Sequence, residues 1–310
     1  RLVRTPGGFQ IEDLGSKNGT FYLGSRIQSA QVGLGAVLRV GQTLVQLQSP
    51  ERPPEMAPSP RTRFGPLVAE SIGMRRVFAL LERVSPLDVT VLIEGPTGTG
   101  KELVARALHD ASARKDGPLV TFDCGAVAEG LVESELFGHV KGAFTDAVSD
   151  RPGAFERAQG GTIFLDEIGE LSPELQPKLL RAIENREVRR VGSDRTQSVD
   201  VRILAATNKQ LEAEVVAGRF REDLYYRLSV VRVALPPLRE RLEDIPVLVR
   251  RFLTAAGGTA DEPGESIAGP NLERLMAHSW PGNVLEMKNV IDRACAMAGR
   301  PGVAFSDLEL

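Results

Sequence analysis

Seven consecutive residues, Gly95-Pro96-Thr97-Gly98-Thr99-Gly100-Lys101, have the composition of a phosphate site. Three glycines give the backbone angles that let main-chain N–H groups close on anionic oxygens, and the lysine supplies a positive charge to a di- or triphosphate. Ser or Thr commonly follows such a lysine and ligates magnesium; here Glu102 follows, so the metal must depend on another carboxylate. Asp166-Glu167, at the end of "GGTIFLDEIGEL", offers one. Asp166 is placed to hold Mg2+, and Glu167 to orient and deprotonate an attacking water. Asn208, closing "VRILAATN", could sense the terminal phosphate or hold that water. Arg219, Arg221 and Arg227 follow in "GRFREDLYYRL"; on a polar helix they are ordinary surface cations, or they reach the phosphates of a neighbouring subunit.

These groups can act together only if an alternating scaffold brings them to one edge. "VTVLIE" is a continuous apolar run, as in a buried parallel strand, and the phosphate loop follows it. "KELVARALHDA" then places Leu103, Val104, Ala107, Leu108 and Ala111 on one helical stripe. "PLVTFD", "GTIFLDE" and "VRILAATN" read as three more buried strands. "SPELQPKLLRAIEN" reads as a helix with Ser172 as cap and Pro173 in its first turn. The alternation predicts an α/β fold, a parallel sheet with helices on both faces, over residues 66–236. Beyond it, residues 237–310 read as a small helical bundle, with helices over 245–255, 271–278 and 283–298. Residues 1–48 read as all-β, with short alternating stretches split by turn chemistry such as "GSKNGT". Five prolines between Pro50 and Pro60 mark residues 49–65 as an extended linker.

With 42% hydrophobic and 25% charged residues the composition is that of a globular protein, and the net charge of −3 gives no general bias toward nucleic acid. The two cysteines, Cys124 and Cys295, are far apart and read as reduced, packed thiols, which fits a cytoplasmic protein. No apolar run approaches the roughly 20 residues that cross a bilayer, and no signal peptide opens the chain. It begins with Arg1 rather than Met, as a piece of a longer protein would.

One stretch fits none of these elements. "ELFGHVKGAFTDAVSD" sets Phe144 between small residues on a glycine-flanked loop, where it reads as a bare, exposed aromatic with Thr145 beside it. With "GPTGTGKELVARALH", "GGTIFLDEIGEL", "VRILAATN", "FREDLYYRL", "LPPLRERLEDI" and "WPGNVLEMKNVIDRA", in that order, it resembles the sigma-54-dependent transcription activators, a branch of the AAA+ ATPases. The resemblance covers roughly residues 66–300, and Glu102 after the lysine is typical of that branch. It implies a ring, usually hexameric, with ATP and Mg2+ between subunits and Arg221 and Arg227 as arginine fingers. Hydrolysis would drive the loop 142–147, through Phe144 and Thr145, against the sigma-54 factor of RNA polymerase. "EVRRVGSDRTQSVDV" resembles the second moving loop of the family. DNA binding would come from a helix-turn-helix domain outside this chain. "IEDLGSKNGTFYLGSRI" resembles the second half of a forkhead-associated (FHA) domain, which reads phosphothreonine. Asn18 and Gly19 match its Asn-Gly pair, while the Arg, Ser and His of its pocket are absent here.

Three positions depart from the family. Asp146 replaces the second glycine of Gly-Ala-Phe-Thr-Gly-Ala, so coupling to the sigma factor is expected to weaken or change. Leu285 stands where the lid carries a sensor arginine, so ATP binding or lid closure is expected to weaken, with Lys288 as a partial substitute. Asp123 replaces an Asn that contacts the catalytic glutamate, and its charge would act on Glu167. The departures keep two further readings open: a nucleotide-binding scaffold that relays a phosphopeptide signal without remodelling, and an AAA+ motor with a different partner.

Overall fold

The computed structural model describes residues 1–5, 8–22, 25–32, 36–41, 43–46, 56–255 and 270–298. The chain divides into two units, 1–55 and 56–310.

In the first unit, Leu2–Thr5, Gly8–Glu12 and Ser29–Val32 form one antiparallel sheet. Ser25–Ile27, Thr20–Tyr22, Val37–Val40 and Thr43–Gln46 form another. Alternation sends Ile11, Val32 and Leu38 inward, with Phe9, Tyr22 and Ile27 packed around them. Asp13 organises the turn that follows its strand. It accepts from Ser16 N–H at 2.8 Å, Ser16 Oγ at 3.0 Å and Thr20 N–H at 3.2 Å, and the Ser16 bonds hold its carboxyl below the ordinary range. Gly19 turns the chain at φ +73°.

The second unit is built on five parallel strands: β1 (Val91–Glu94), β2 (Leu119–Asp123), β3 (Thr162–Asp166), β4 (Arg202–Thr207) and β5 (Val231–Ala234). Their spatial order is β2-β3-β4-β1-β5. Side chains alternate between two cores. Val91, Ile93, Phe164, Leu204 and Ala206 face one side, where α1 (Ile72–Val84) and α2 (Lys101–Asp110) bring Phe78, Leu81, Val104 and Leu108. Leu92, Ile163, Leu165, Ile203 and Ala205 face the other. That side is covered by α3 (Glu129–Phe137), α4 (Ala154–Arg157), α5 (Gln176–Asn185), α6 (Leu211–Val216) and α7 (Glu222–Leu228). Each fully buried Leu, Ile or Phe contributes roughly 1.5–3 kcal/mol, so burial on both faces accounts for the unbroken apolar strands.

Three local expectations are corrected. On α2, Leu103 and Ala111 are exposed, because the buried stripe runs through Val104, Ala105, Ala107 and Leu108. Ser172 does not cap α5: Leu175 N–H bonds the Ser172 carbonyl in a separate turn, and the helix starts at Gln176 with Pro177 in its first turn. Residues 56–65, read as linker, pack on α1 instead. Ser59 is buried, bonds the Glu82 carboxylate through Oγ at 2.9 Å, and its carbonyl accepts from Arg75 Nε at 2.7 Å.

After β5 come α8 (Ile245–Ala255), α9 (Pro270–Ala277) and α10 (Asn283–Ala298). They close around Leu238, Ile245, Val249, Leu253, Leu275, Trp280, Met287 and Ile291. This lid is pinned to α1 by buried Asp244, whose carboxylate accepts from Glu70 N–H, Ser71 N–H and Ser71 Oγ at 2.6–2.9 Å. No described helix is long and apolar enough to cross a membrane.

Candidate functional site

The strand order explains how residues 111 positions apart come together. The phosphate loop leaves β1 and the acidic pair leaves β3, while β4, lying between them, ends in Asn208. Asn208 bridges the two: its Nδ2 donates to Thr97 Oγ1 at 3.2 Å and its N–H to Glu167 Oε2 at 3.1 Å. The other oxygen of Glu167 lies 3.3 Å from Lys101 Nζ. Lys101 Nζ also donates to the Gly95 carbonyl at 3.1 Å, folding the lysine back across its own loop. The loop, acid and amide thus form one hydrogen-bonded unit at the C-terminal edge of a parallel sheet, where open α/β folds bind ligands.

Backbone strain supports this arrangement. Glu167 adopts the left-handed region (φ 47°, ψ 48°), which costs roughly 1–3 kcal/mol in a residue with a side chain. Gly98 and Gly100 turn the loop at φ +80° and +103°. A Cβ at Gly98 would lie 2.2 Å from the Gly282 carbonyl oxygen, so the lid approaches the loop closely enough to require glycine there. Asp166 is half-buried; burial raises its pKa, with a smaller contribution from Glu167 and Asp123. Its Oδ1 accepts from Glu167 N–H at 2.9 Å. Glu102 is exposed on the first turn of α2.

The departures resolve as follows. Asp123 is in register with Asp166 on the adjacent strand. Its Oδ1 accepts from the N–H groups of Gly125 and Ala126 at 2.8 and 3.1 Å. Its charge acts on Asp166 and on Cys124 beside it, whose thiol burial and the neighbouring carboxylates push up to about 12. Both cysteines are free. Leu285 is 51% exposed and lies against the loop: its N–H donates to the Gly98 carbonyl at 3.2 Å. Lys288, one turn on, is exposed, and its ammonium pairs with Asp292 at 2.6 Å. Asn283 is not a simple helix cap. It lies at φ 54°, buried, and its amide joins the lid to the loop; Glu286 supplies the capping carboxylate, accepting from Gly282 N–H at 2.7 Å.

Two groups of predicted site residues lie apart from this unit. Arg221 precedes α7 and Arg227 lies within it; both are exposed and pair with Asp223 at 2.7 Å and Glu184 at 2.6 Å. Arg219 pairs with Glu214 at 2.6 Å. Phe144 and Thr145 cap a hairpin whose stem pairs Gly138–His139 with Arg151–Pro152. Thr145 is exposed, but Phe144 is half-buried rather than bare, since its ring stands edge-on to His139 with centroids 5.0 Å apart. Asp146 is exposed and is not among the residues of positive φ, so the backbone there does not require glycine. The second resembling loop is a hairpin, Glu187–Arg189 with Thr196–Ser198, joined to the first by Val140 N–H on the Val191 carbonyl at 3.1 Å. Sequence reasoning missed Arg241, whose Nη2 donates to the Thr99 carbonyl at 3.1 Å.

The chain matches three known families. The Sigma-54 interaction domain matches residues 67–234, an AAA+ ATPase lid domain 239–310, and an FHA domain 1–41. The transcriptional regulatory protein ZraR of Klebsiella oxytoca is 50% identical over 273 residues, 88% of this chain and 60% of that protein. The Nif-specific regulatory protein of Enterobacter agglomerans is 49% identical over 267 residues, 83% of this chain and 51% of that protein. The chain therefore spans little more than half the length of these relatives. A crystal structure of NtrX from Brucella abortus in complex with ATP superposes with a TM-score of 0.69 at 38% identity, over 78% of this chain and 54% of that one. With more than half of its length matched by the Sigma-54 interaction domain, the chain belongs to that family.

Proposed function

We propose that this chain is an ATP-hydrolysing transcription activator that works on sigma-54 RNA polymerase as a cytoplasmic ring. The observation that carries the reading is the unit of Lys101, Glu167, Asn208 and Thr97, in which a phosphate-loop lysine and a strand-end carboxylate face each other across 3.3 Å. The loop residues Gly95, Pro96, Thr97, Gly98, Thr99, Gly100, Lys101 and Glu102 would bind the nucleotide, aided by the positive end of α2. When the terminal phosphate draws Lys101 away, Glu167 is released from its ion pair. It then accepts a proton from the attacking water, while Asn208 holds its carboxylate in place through the backbone N–H. Magnesium would neutralise charge on the phosphate oxygens. Asp166 suits it, because a divalent cation offsets the burial that disfavours this carboxylate's charged form.

Arg221 and Arg227 would complete a neighbour's site. Each must first leave a surface carboxylate, and exposed ion pairs are worth only about 0–1 kcal/mol, so the exchange is easy. Phe144 and Thr145 would contact sigma-54, with Phe144 leaving His139 as it does so. Phosphothreonine recognition by a complete FHA domain and DNA binding by a further domain fit the same scheme.

The test is phosphate release measured against protein concentration. Turnover per chain should rise steeply on assembly, and Glu167→Gln should lower it about 100-fold or more while nucleotide still binds. Nucleotide binding without turnover in the parent chain would favour the scaffold reading.

A further inference from the structure

We propose that Asn283 and Arg241 are positioning residues that hold the phosphate loop open for its anion from the lid side; the proposal rests on the reading of Gly95–Lys101 as a nucleotide site. Three successive loop carbonyls accept hydrogen bonds from lid donors. The Thr97 carbonyl takes Asn283 Nδ2 at 2.9 Å, the Gly98 carbonyl takes Leu285 N–H at 3.2 Å, and the Thr99 carbonyl takes Arg241 Nη2 at 3.1 Å. In a trans peptide the C=O and the following N–H point in opposite directions. Binding the Thr97 carbonyl therefore turns the Gly98 N–H away from the lid, and binding the Thr99 carbonyl does the same for the Gly100 N–H. Both donors belong to glycines, whose peptides would otherwise flip with little penalty. The lid thus fixes these two glycine donors of the loop before nucleotide arrives, a preorganisation that raises affinity.

Both residues are buried where they meet the loop. Asn283 is 1% exposed and left-handed at φ 54°, and its Oδ1 accepts from Leu238 N–H at 2.9 Å. One amide therefore joins the loop, Leu238 on the connection from β5 to the lid, and the start of α10. Arg241 is 3% exposed, and its Nε has no hydrogen-bond partner among the described residues. A buried guanidinium with one nitrogen unbonded is costly unless its position is used. In this chain Leu285 supplies no cation, and its contact with the loop is the backbone N–H on the Gly98 carbonyl.

Calorimetric titration of the full 310-residue chain with ADP and with ATP, together with steady-state ATPase kinetics, tests the proposal. Asn283→Asp keeps the oxygen that meets Leu238 and replaces the donor facing Thr97. Arg241→Lys keeps the charge and removes the planar fork that reaches Thr99. Each should weaken both nucleotides about tenfold and raise KM by a similar factor, with a much smaller effect on kcat at saturating ATP. Lys101→Ala serves as the reference for the site. If it binds nucleotide as the parent does, the reading of the loop fails and the clamp with it. If Lys101→Ala loses binding while both clamp variants bind like the parent, the clamp alone is overturned. An Arg274→Ala control, at an exposed lid cation on α9, should match the parent; a loss equal to that of the clamp variants would assign the effect to general lid charge and overturn the proposal. Should Asn283→Asp lose helical ellipticity, Arg241→Lys decides.

Discussion

The phosphate loop and the Phe144 loop are both short and glycine-bearing, yet they are held in opposite ways. Loop 95–101 is bonded from outside: Asn208 meets its Thr97 hydroxyl, and Asn283, Leu285 and Arg241 take its carbonyls. Thr99 and Lys101 are 4% and 7% exposed. Loop 142–147 closes mainly on itself. Gly142 N–H bonds the Ala147 carbonyl, Ala147 N–H bonds the Phe144 carbonyl, and Ala143 N–H reaches back only to Val140. Its main external anchor is the edge of one histidine ring. A segment bonded to distant elements moves only with those elements, whereas a segment bonded to itself can swing about its stem as a body. The difference suits a grip in the first loop and a moving tip in the second.

The largest break in this comparison is expected at Gly98. An alanine methyl would meet the Gly282 carbonyl at 2.2 Å and impose a left-handed backbone on a residue with a side chain. Gly98→Ala should cost about 2–5 kcal/mol in urea unfolding of the second unit, as lid and loop are forced apart. The equivalent insult to the other loop is expected to leave folding almost intact and strike the partner instead. Phe144→Ala should weaken sigma-54 binding about 30-fold, measured with a transition-state analogue of ATP bound, while ATP turnover is retained. Equal stability loss in the two variants would erase the contrast.

A smaller effect sharpens the chemistry of the rigid end. Asp166 has a raised pKa because it is buried, so the folded chain keeps its proton to higher pH than the unfolded chain does. The stabilising contribution of the protonated form is complete below the ordinary value of 3.8 and is lost as pH rises through the folded value. At neutral pH the ionised form is therefore a burden on the fold. Asp166→Asn should raise the unfolding midpoint of the nucleotide-free chain at pH 7, with the gain vanishing near pH 3. A lower midpoint at pH 7 would mean that the nearby Lys101 charge outweighs burial.

Much of this molecule was legible residue by residue. The apolar runs of β1, β3 and β4 are unbroken because both faces are covered, and that leaves a mark any reading can see. The phosphate loop and the Asp166-Glu167 pair announce themselves by type and spacing, and the three lid helices were expected within a residue or so of where they lie. Errors fell where two local signals competed. Ser172-Pro173 and Gln176-Pro177 both resemble helix starts, and only the second is one. Residues 56–65 read as linker because the burial of Ser59 against α1 leaves no local trace, while 49–55 lie outside the described residues. Phe144 read as bare because its cover, His139, is a polar residue that gives no apolar signal.

What the sequence determined by itself was the set of local preferences: where strands and helices form, which glycine-rich loop ends in a lysine, and which carboxylates stand at strand ends. Those depend on neighbours a few residues away, and the chain states them directly. Only the tertiary structure decided that β4 lies between β1 and β3, placing Asn208 across Lys101 and Glu167, and that Arg241 and Asn283 reach the loop from 142 and 186 residues away. Single hydrogen bonds over such separations follow from how whole elements pack, and they leave no periodicity or spacing by which the chain could announce them.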